Sequence, residues 1–172
     1  MDSMSKKGRQ YLGLLAAVAA YYLVHEGAHL LCALGMGAFK EIRFMGLGVQ
    51  IDVAAERMTA AQMAWFCAVG SLAAMIAAYV LLLSLPQIVS VPSKVFKACM
   101  YYITAAMLLI DPLYLSVLCG FFGGGDMNGI SLLVPEKIAR SLYGILFVIH
   151  AAVFVKAVLP KYRQAFAEGE RD

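Results

Sequence analysis

The chain has 172 residues, of which 62% are hydrophobic and only 15% are charged, and its formal net charge is +3. Soluble domains are about 45–50% apolar and about 25% charged, so this composition excludes an ordinary soluble domain. It predicts a single integral membrane domain over residues 1–172, surrounded by a lipid bilayer. A net charge this small, without a block of basic residues, gives no indication of nucleic-acid binding.

Four segments of the sequence are long enough to cross a bilayer, which takes about 20 residues. They are approximately residues 11–36, 59–85, 95–122 and 138–159. The predicted fold class is therefore all-α, with about four transmembrane helices. A signal peptide that is cleaved near Ala20 is an alternative for the first segment. The apolar pattern continues past Ala20, however, which favours an uncleaved span.

The first span contains the motif His-Glu-Gly-Ala-His at residues 25–29. Residues four apart share one face of an α-helix, so His25 and His29 can offer two imidazoles to one metal ion. Glu26 is placed to act as a base on water at that ion. Such polar groups are costly to bury in a membrane, which makes them candidates for a functional site. By helical rise the histidines lie ~21 Å and ~27 Å along the span, somewhat past its middle.

The stretch KEIRFMGLGVQIDV at residues 40–53 alternates polar and apolar residues around Gly46 and Gly48. This pattern predicts two short strands joined by a turn, a β-hairpin-like segment between the first two spans. An ordinary loop is the alternative, because short apolar runs are ambiguous. The second span contains GSLAAMIAA from Gly70, a run of small residues that lets helix backbones pack closely. A Pro-containing turn is expected at 86–94.

The third span runs in the same direction as the first, so its C-terminal half reaches the level of the two histidines. Asp111 lies ~24 Å along it by helical rise. Asp126 follows three glycines at 123–125, which favour irregular backbone. Such backbone is tolerated at membrane depth only where protein or a water-filled cavity surrounds it.

A catalytic zinc site commonly has three protein ligands and an open position for water. Asp126 and Asp111 are both candidates for the third ligand. The structural alternatives are a solvated turn for Asp126 and, for Asp111, an N-cap or polar position beside a helix break at Pro112.

The fourth span contains His150 near its middle. Because this span runs back towards the side of the termini, we expect His150 to lie off the level of the other two histidines. Hydrogen bonding between helices is its predicted role, rather than metal binding.

An even number of spans places both termini on one side of the membrane. Nine basic residues lie on that side and five on the other, which favours cytoplasmic termini. The small size of the chain is typical of a bacterial protein, so we expect the cell membrane of a bacterium. The nine are Lys6, Lys7, Arg9, Lys94, Lys97, Lys156, Lys161, Arg163 and Arg171. The five are Lys40, Arg43, Arg57, Lys137 and Arg140.

These features together resemble the site-2 protease family of intramembrane zinc metalloproteases. The likeness covers roughly residues 15–135 and consists of an HExxH motif in a membrane span, a strand-like segment, a small-residue motif and a later aspartate motif. The resemblance implies that His25 and His29 are zinc ligands, that Glu26 is the catalytic base and that Asp126 is the third ligand.

The resemblance also implies roles for the neighbouring polar residues. Asp111-Pro112 resembles an Asn-Pro pair that precedes the aspartate motif of the family, and Gly70 falls where the family usually has Gly-Pro. Asn128 is a candidate for an oxyanion or substrate contact. The chain looks like a minimal catalytic core without PDZ or CBS domains.

The function implied is hydrolysis of peptide bonds in transmembrane protein or peptide substrates, with one catalytic Zn²⁺. The alternative is a non-catalytic metal-binding membrane protein, either a transporter component or an inactive protease-like scaffold. A transporter usually distributes ionisable residues through the membrane, whereas here they concentrate at one depth, which favours the enzyme. A structural protein in which the motif is accidental is the remaining interpretation.

Overall fold

The computed structural model describes residues 4–46, 48–123 and 125–168. Four of its helical stretches are long and apolar enough to cross a membrane, which confirms the predicted fold class. They are Lys6–Gly35, Ala60–Leu83, Lys94–Phe122 and Glu136–Glu168. The fourth stretch continues well past residue 159, where the predicted span ends.

Side-chain caps fix where three of the spanning helices begin. Helix α1 (Lys6–Gly35) starts after Ser5, and helix α2 (Ala60–Leu83) starts with a capping box between Thr59 and Gln62. Ser93 accepts a hydrogen bond from a backbone N–H in the first turn of helix α4 (Lys94–Leu113). These caps satisfy N–H groups that have no partner within the helix.

A two-stranded antiparallel hairpin connects α1 to α2, as the alternation of residues 40–53 predicts. Strand β1 (Phe39–Met45) pairs with strand β2 (Gly48–Val53), with Ile42 opposite Ile51. The turn uses Gly46 in the left-handed region, at φ +62°, a conformation that glycine adopts without a steric penalty.

A short helix, α3 (Leu85–Ser90), replaces the turn expected at 86–94. Pro86 lies in the first turn of α3, where its fixed φ suits a helix and its missing N–H costs no hydrogen bond. The prediction of a simple turn was therefore wrong in its first half, because proline at this position starts a helix.

Pro112 lies inside α4 and does not end it. The helix continues through a π-helical turn at Tyr114–Leu118 into helix α5 (Cys119–Phe122). The hydroxyl of Ser116 donates to the carbonyl of Pro112 over 2.6 Å. The helix therefore does not break at Pro112, and Asp111 lies within the helix rather than beside a break.

The chain breaks instead at the glycines that follow α5. Gly123 and Gly125 have φ of +91° and +42°, and helix α6 (Asp126–Ile130) begins directly afterwards. The irregular backbone predicted for this segment is thus confirmed. Helix α7 (Glu136–Val153) then leads through a second π-helical turn (Phe154–Val158) to helix α8 (Leu159–Glu168).

Two buried clusters hold the helices together, one on each side of the histidines. The first surrounds the hairpin, α6 and the start of α7 and includes Ile51, Phe66 and Met127. The second lies towards the termini and includes Met107, Leu108 and Tyr162. Many apolar side chains on the spans face outward instead, such as Leu23 and Leu83, as expected for helices that contact lipid.

Candidate metal centre

Helix α1 carries two histidines on its buried face. His25 and His29 are 7% and 4% exposed and lie one helical turn apart, as their spacing predicts. Their Nε2 atoms are 3.2 Å apart. Two imidazole nitrogens of the same helix therefore point at one position beside it.

Asp126 reaches that position because the chain turns at the glycines before α6. Its Oδ2 atom lies 3.3 Å from Nε2 of His25 and 3.4 Å from Nε2 of His29. The structure thus brings together the three side chains that the sequence suggests as metal ligands, and their donor atoms form a small triangle.

The dimensions of this triangle fit a zinc ion. Zinc bonds to nitrogen and oxygen are about 2.0–2.2 Å long, and tetrahedral geometry then separates neighbouring donor atoms by about 3.3–3.6 Å. The edges of the triangle are 3.2, 3.3 and 3.4 Å. Two imidazoles and one carboxylate, with a fourth position open, are also a donor set typical of catalytic zinc.

Gly70 of α2 leaves the space that this triangle occupies. A Cβ atom at Gly70 would lie 2.5 Å from Nε2 of His29 and 2.7 Å from Nε2 of His25. Any side chain there would collide with the donor atoms themselves. The sequence predicts helix packing for the small residues of this span, whereas the structure places this glycine directly against the candidate metal centre.

Asp111 contacts the opposite side of the His25 ring. Its two carboxylate oxygens lie 3.2 and 3.3 Å from Nδ1 of His25, and it is 2% exposed. The hydroxyl of Tyr21 donates to the same carboxylate over 2.5 Å. Asp111 is therefore placed to orient a ligand, and its position is not that of a third ligand beside the two Nε2 atoms.

This contact suits one tautomer of His25. With a metal ion at Nε2, Nδ1 of His25 would carry the hydrogen and donate it to the Asp111 carboxylate. Histidine ligands in proteins commonly donate their second ring nitrogen to a carboxylate in this manner. The arrangement of Tyr21, Asp111 and His25 thus prepares one nitrogen for metal binding.

Outside the donor triangle, His29 is held by packing rather than by hydrogen bonding. Its ring lies 4.9 Å from the ring of Phe66, centroid to centroid. Its Nδ1 atom is buried and has no hydrogen-bond partner among the described residues. The two histidines are therefore supported by different kinds of contact.

The triangle opens into a cavity of about 760 Å³. Glu26 lines this cavity and is half-buried, and Asn128 lines it from α6 and is exposed. Strand β2 contributes its residues Val49–Val53 to the same cavity. The space therefore brings the predicted base, the candidate oxyanion contact and a strand to one chamber beside the histidines.

An ion pair stabilises the hairpin at the edge of this cavity. Arg43 donates to Glu41 over 3.0 Å and to Asp52 over 2.5 Å. The hydrogen bond to Glu41 and the negative charge of Asp52 raise the pKa of Arg43 above its ordinary value. Asp52 itself lines the cavity, so one of the charges that face this chamber is already neutralised.

His150 contacts two other helices, which confirms its predicted role in hydrogen bonding between spans. Its Nδ1 donates to the carbonyl of Leu108 in α4, and the hydroxyl of Tyr79 in α2 donates to its Nε2, each over 2.8 Å. Both ring nitrogens are thus satisfied by protein atoms outside the metal centre.

Two residues of the centre were not assigned to it from the sequence, namely Tyr21 and Gly70. Tyr21 precedes His25 by four residues, a spacing that places both on one helical face. That signal was available in the sequence, but the partner that Tyr21 binds on another helix was not. In comparisons with known proteins, no protein-family model matches the sequence, and no curated protein or solved structure matches it significantly.

Proposed function

We propose that this chain is an intramembrane zinc metalloprotease of the kind that the site-2 protease resemblance suggests. The observation that supports this most is the triangle of His25, His29 and Asp126, whose edges fit zinc. It lies within a set of spanning helices and opens to a cavity that also contains Glu26. The proposal includes a bacterial cell membrane and cytoplasmic termini.

The proposed chemistry is the addition of water to a peptide bond. Zinc at this centre supplies Lewis-acid polarisation of the carbonyl and lowers the pKa of water. Glu26 accepts one proton from the attacking water and delivers it to the nitrogen of the leaving amine, as the C–N bond breaks. Asn128 is exposed to the same cavity and is proposed to donate a hydrogen bond to the developing oxyanion.

The substrate proposed is a transmembrane protein segment. A helical segment hides its peptide bonds in hydrogen bonds, so it must unwind before the reaction. Strand β2 pairs with β1 on one side, and in the described residues its other edge has no partner strand. Because β2 also lines the cavity, an unwound substrate can pair with it in an extended conformation beside the zinc centre.

The substitution Glu26→Gln tests this function. It removes the base while leaving the three proposed ligands, so we expect the variant to keep its zinc and lose cleavage by at least a hundredfold. The measurement combines zinc content with cleavage of a fluorogenic single-span peptide by the purified full chain in lipid vesicles. Glu56→Gln, in the 3₁₀ turn Ala55–Arg57 after the hairpin, is the matched control and should cleave normally.

The results separate the enzyme from its alternatives. Cleavage by Glu26→Gln at the wild-type rate would rule out the proposed mechanism. Zinc in both proteins without cleavage by either one would favour a non-catalytic metal-binding protein. A wild-type protein that contains no bound metal would favour a structural membrane protein with an accidental motif.

A further inference from the structure

A second cavity, of about 500 Å³, lies between the first turns of α1, the start of α4 and helix α8. Arg9 lines it, and His25 follows sixteen residues later on α1, which corresponds to about 24 Å along the helix axis. This cavity is therefore far from the candidate metal centre and belongs to the side of the termini.

The cavity is lined by three cations, Lys6, Arg9 and Arg163. None of its described lining residues is acidic, and none of these three cations forms a salt bridge within the described part of the chain. Arg9 donates one hydrogen bond, to the carbonyl of Met4 over 2.7 Å. Three positive charges around one space repel one another. A bound anion would replace this repulsion with attraction.

Aromatic side chains form the wall of the cavity on α4. Tyr101 and Tyr102 both line it, and their ring centroids are 5.1 Å apart. Tyrosine is enriched where membrane spans meet the aqueous interface, at the level of lipid headgroups. Both α1 and α4 begin within a few residues of this cavity, so it lies where a span leaves the bilayer.

A buried lysine holds helix α8, which lines the cavity together with α1 and α4, in place. Lys97 is 5% exposed, and its ammonium group donates to the carbonyl of Ala165 over 3.0 Å. This carbonyl belongs to the last described turn of α8. Lys97 thereby fixes α8 against α4 and adds a further positive charge close to the cavity.

We propose that this cavity binds the phosphate of an anionic phospholipid headgroup. Arginine guanidinium groups match phosphate oxygens in geometry and charge, and lysine adds a third donor. A lipid is the proposed source of the phosphate, rather than a free ion, because the cavity lies at the ends of membrane spans. From it α1 continues into the bilayer with apolar side chains that are exposed, such as Leu15.

The test is native mass spectrometry of the full-length protein titrated with phosphatidylglycerol, phosphatidylcholine or inorganic phosphate. We expect one tightly bound phosphatidylglycerol per chain and much weaker binding of the other two probes. Each basic residue near an anionic headgroup contributes about a factor of five in affinity. Combining Lys6→Gln, Arg9→Gln and Arg163→Gln should therefore weaken binding by about a hundredfold, and Arg163→Gln alone by about fivefold.

Two further variants separate a specific cavity from general attraction to charge. Combining Lys40→Gln, Arg57→Gln and Lys137→Gln removes the same charge from exposed positions on the other side and should leave binding unchanged. The exchange Arg9→Lys and Arg163→Lys keeps the charges but removes both guanidinium groups, so it should weaken binding, although less than the triple Gln variant at the cavity does.

Equal losses in the two triple Gln variants would overturn the proposal, as would equal binding of phosphatidylcholine. Saturation by inorganic phosphate at the same concentration would assign the cavity to a free anion instead. None of these readouts depends on zinc or on proteolysis.

Discussion

At the scale of single residues, two aspartates contact the same histidine at different ring nitrogens. Asp126 lies at Nε2 of His25 and Asp111 lies at Nδ1. The first position is that of a metal ligand, and the second is that of a group that orients a ligand. The two carboxylates should therefore differ sharply when each is neutralised.

Asp111→Asn should lower zinc affinity by about 10–100-fold without removing the site, because Nδ1 of His25 loses its charged acceptor. Tyr21→Phe removes only the hydrogen bond to Asp111 and should have a smaller effect in the same direction. Competition with a zinc chelator measures both variants. Complete loss of zinc from Asp111→Asn at saturating zinc would contradict the orienting role and make Asp111 a ligand.

Gly70→Ala should disrupt zinc binding although it adds only one methyl group. The added Cβ would lie within 2.8 Å of both proposed ligand rings, so at least one imidazole has to move. Gly144→Ala is the matched control, because a Cβ there meets its nearest neighbour, a side-chain atom of Ser116, at an ordinary 3.7 Å.

Zinc content and thermal unfolding of the two variants are to be compared. We expect Gly144→Ala to keep wild-type zinc and to change the unfolding free energy by less than about 1 kcal/mol. Normal zinc affinity in Gly70→Ala would show that the donor triangle lies elsewhere in the native protein.

The sequence is enough to predict which side chains form this centre, but not how these side chains are oriented. The spacing of His25 and His29 is enough to predict a shared face, and the three glycines are enough to predict that the chain breaks before Asp126. Which nitrogen of His25 each aspartate meets depends on how α1 is rotated against α4. That rotation results from packing between helices distant in sequence, which a local pattern does not contain.

At the scale of elements, Pro112 and His150 are linked through one carbonyl. Proline has no N–H, so Pro112 leaves the carbonyl of Leu108, four residues earlier, without its helical partner. His150 donates to that carbonyl over 2.8 Å. In a membrane an unpaired carbonyl is costly, so this contact ties α7 to α4 at the point where α4 loses a hydrogen bond.

His150→Leu should destabilise the protein by about 1–3 kcal/mol, since the Leu108 carbonyl is then buried and unpaired. Tyr79→Phe removes only the second bond of His150 and should cost about 0.5–1.5 kcal/mol. Unfolding in a denaturing detergent measures the stability of both variants. The zinc content of both variants should stay normal. Loss of zinc with unchanged stability in His150→Leu would instead indicate a role at the metal centre.

The helices and the hairpin follow from patterns that act locally. Runs of apolar residues define the four spans, and alternation around Gly46 defines the hairpin. Helix α3 and the continuation into α8 were missed because proline normally indicates a turn. Pro86 lies in the first turn of a helix instead, where its missing N–H costs nothing. Pro160 lies within a helical stretch that continues from α7 through the π-helical turn Phe154–Val158.

At the scale of the whole molecule, four spans place both termini and the connection between the second and third spans on one side, and the other two connections on the opposite side. The first turn of α1 and the end of α8 should face one side, and the hairpin loop and the start of α7 should face the other. The exposed residues Lys6 and Lys161 represent the first side, and Glu56 and Lys137 represent the second.

Labelling of single cysteines with an impermeant maleimide tests this topology in sealed vesicles. In a background without the native cysteines, Lys6→Cys and Lys161→Cys should react from one side only. Glu56→Cys and Lys137→Cys should react only from the other side. Reaction of Lys6→Cys and Lys161→Cys from different sides would contradict a chain with four spans.

The two cavities lie in different parts of the molecule, and we propose different roles for them. One lies beside the donor triangle and the hairpin, and the other lies among basic and aromatic side chains at the terminal side. The first is proposed to contain the reaction, and the second is proposed to hold an anionic lipid that fixes the helices at the membrane surface.

The proposed metal centre is tested by the zinc content of the purified full chain, measured by elemental analysis for wild type, Asp126→Asn and Asp111→Asn. We expect one zinc per chain in wild type, loss of zinc in Asp126→Asn, and zinc that is retained but more weakly bound in Asp111→Asn. A wild-type protein without stoichiometric zinc after reconstitution, or an Asp126→Asn variant with wild-type affinity, would rule out the proposed zinc centre.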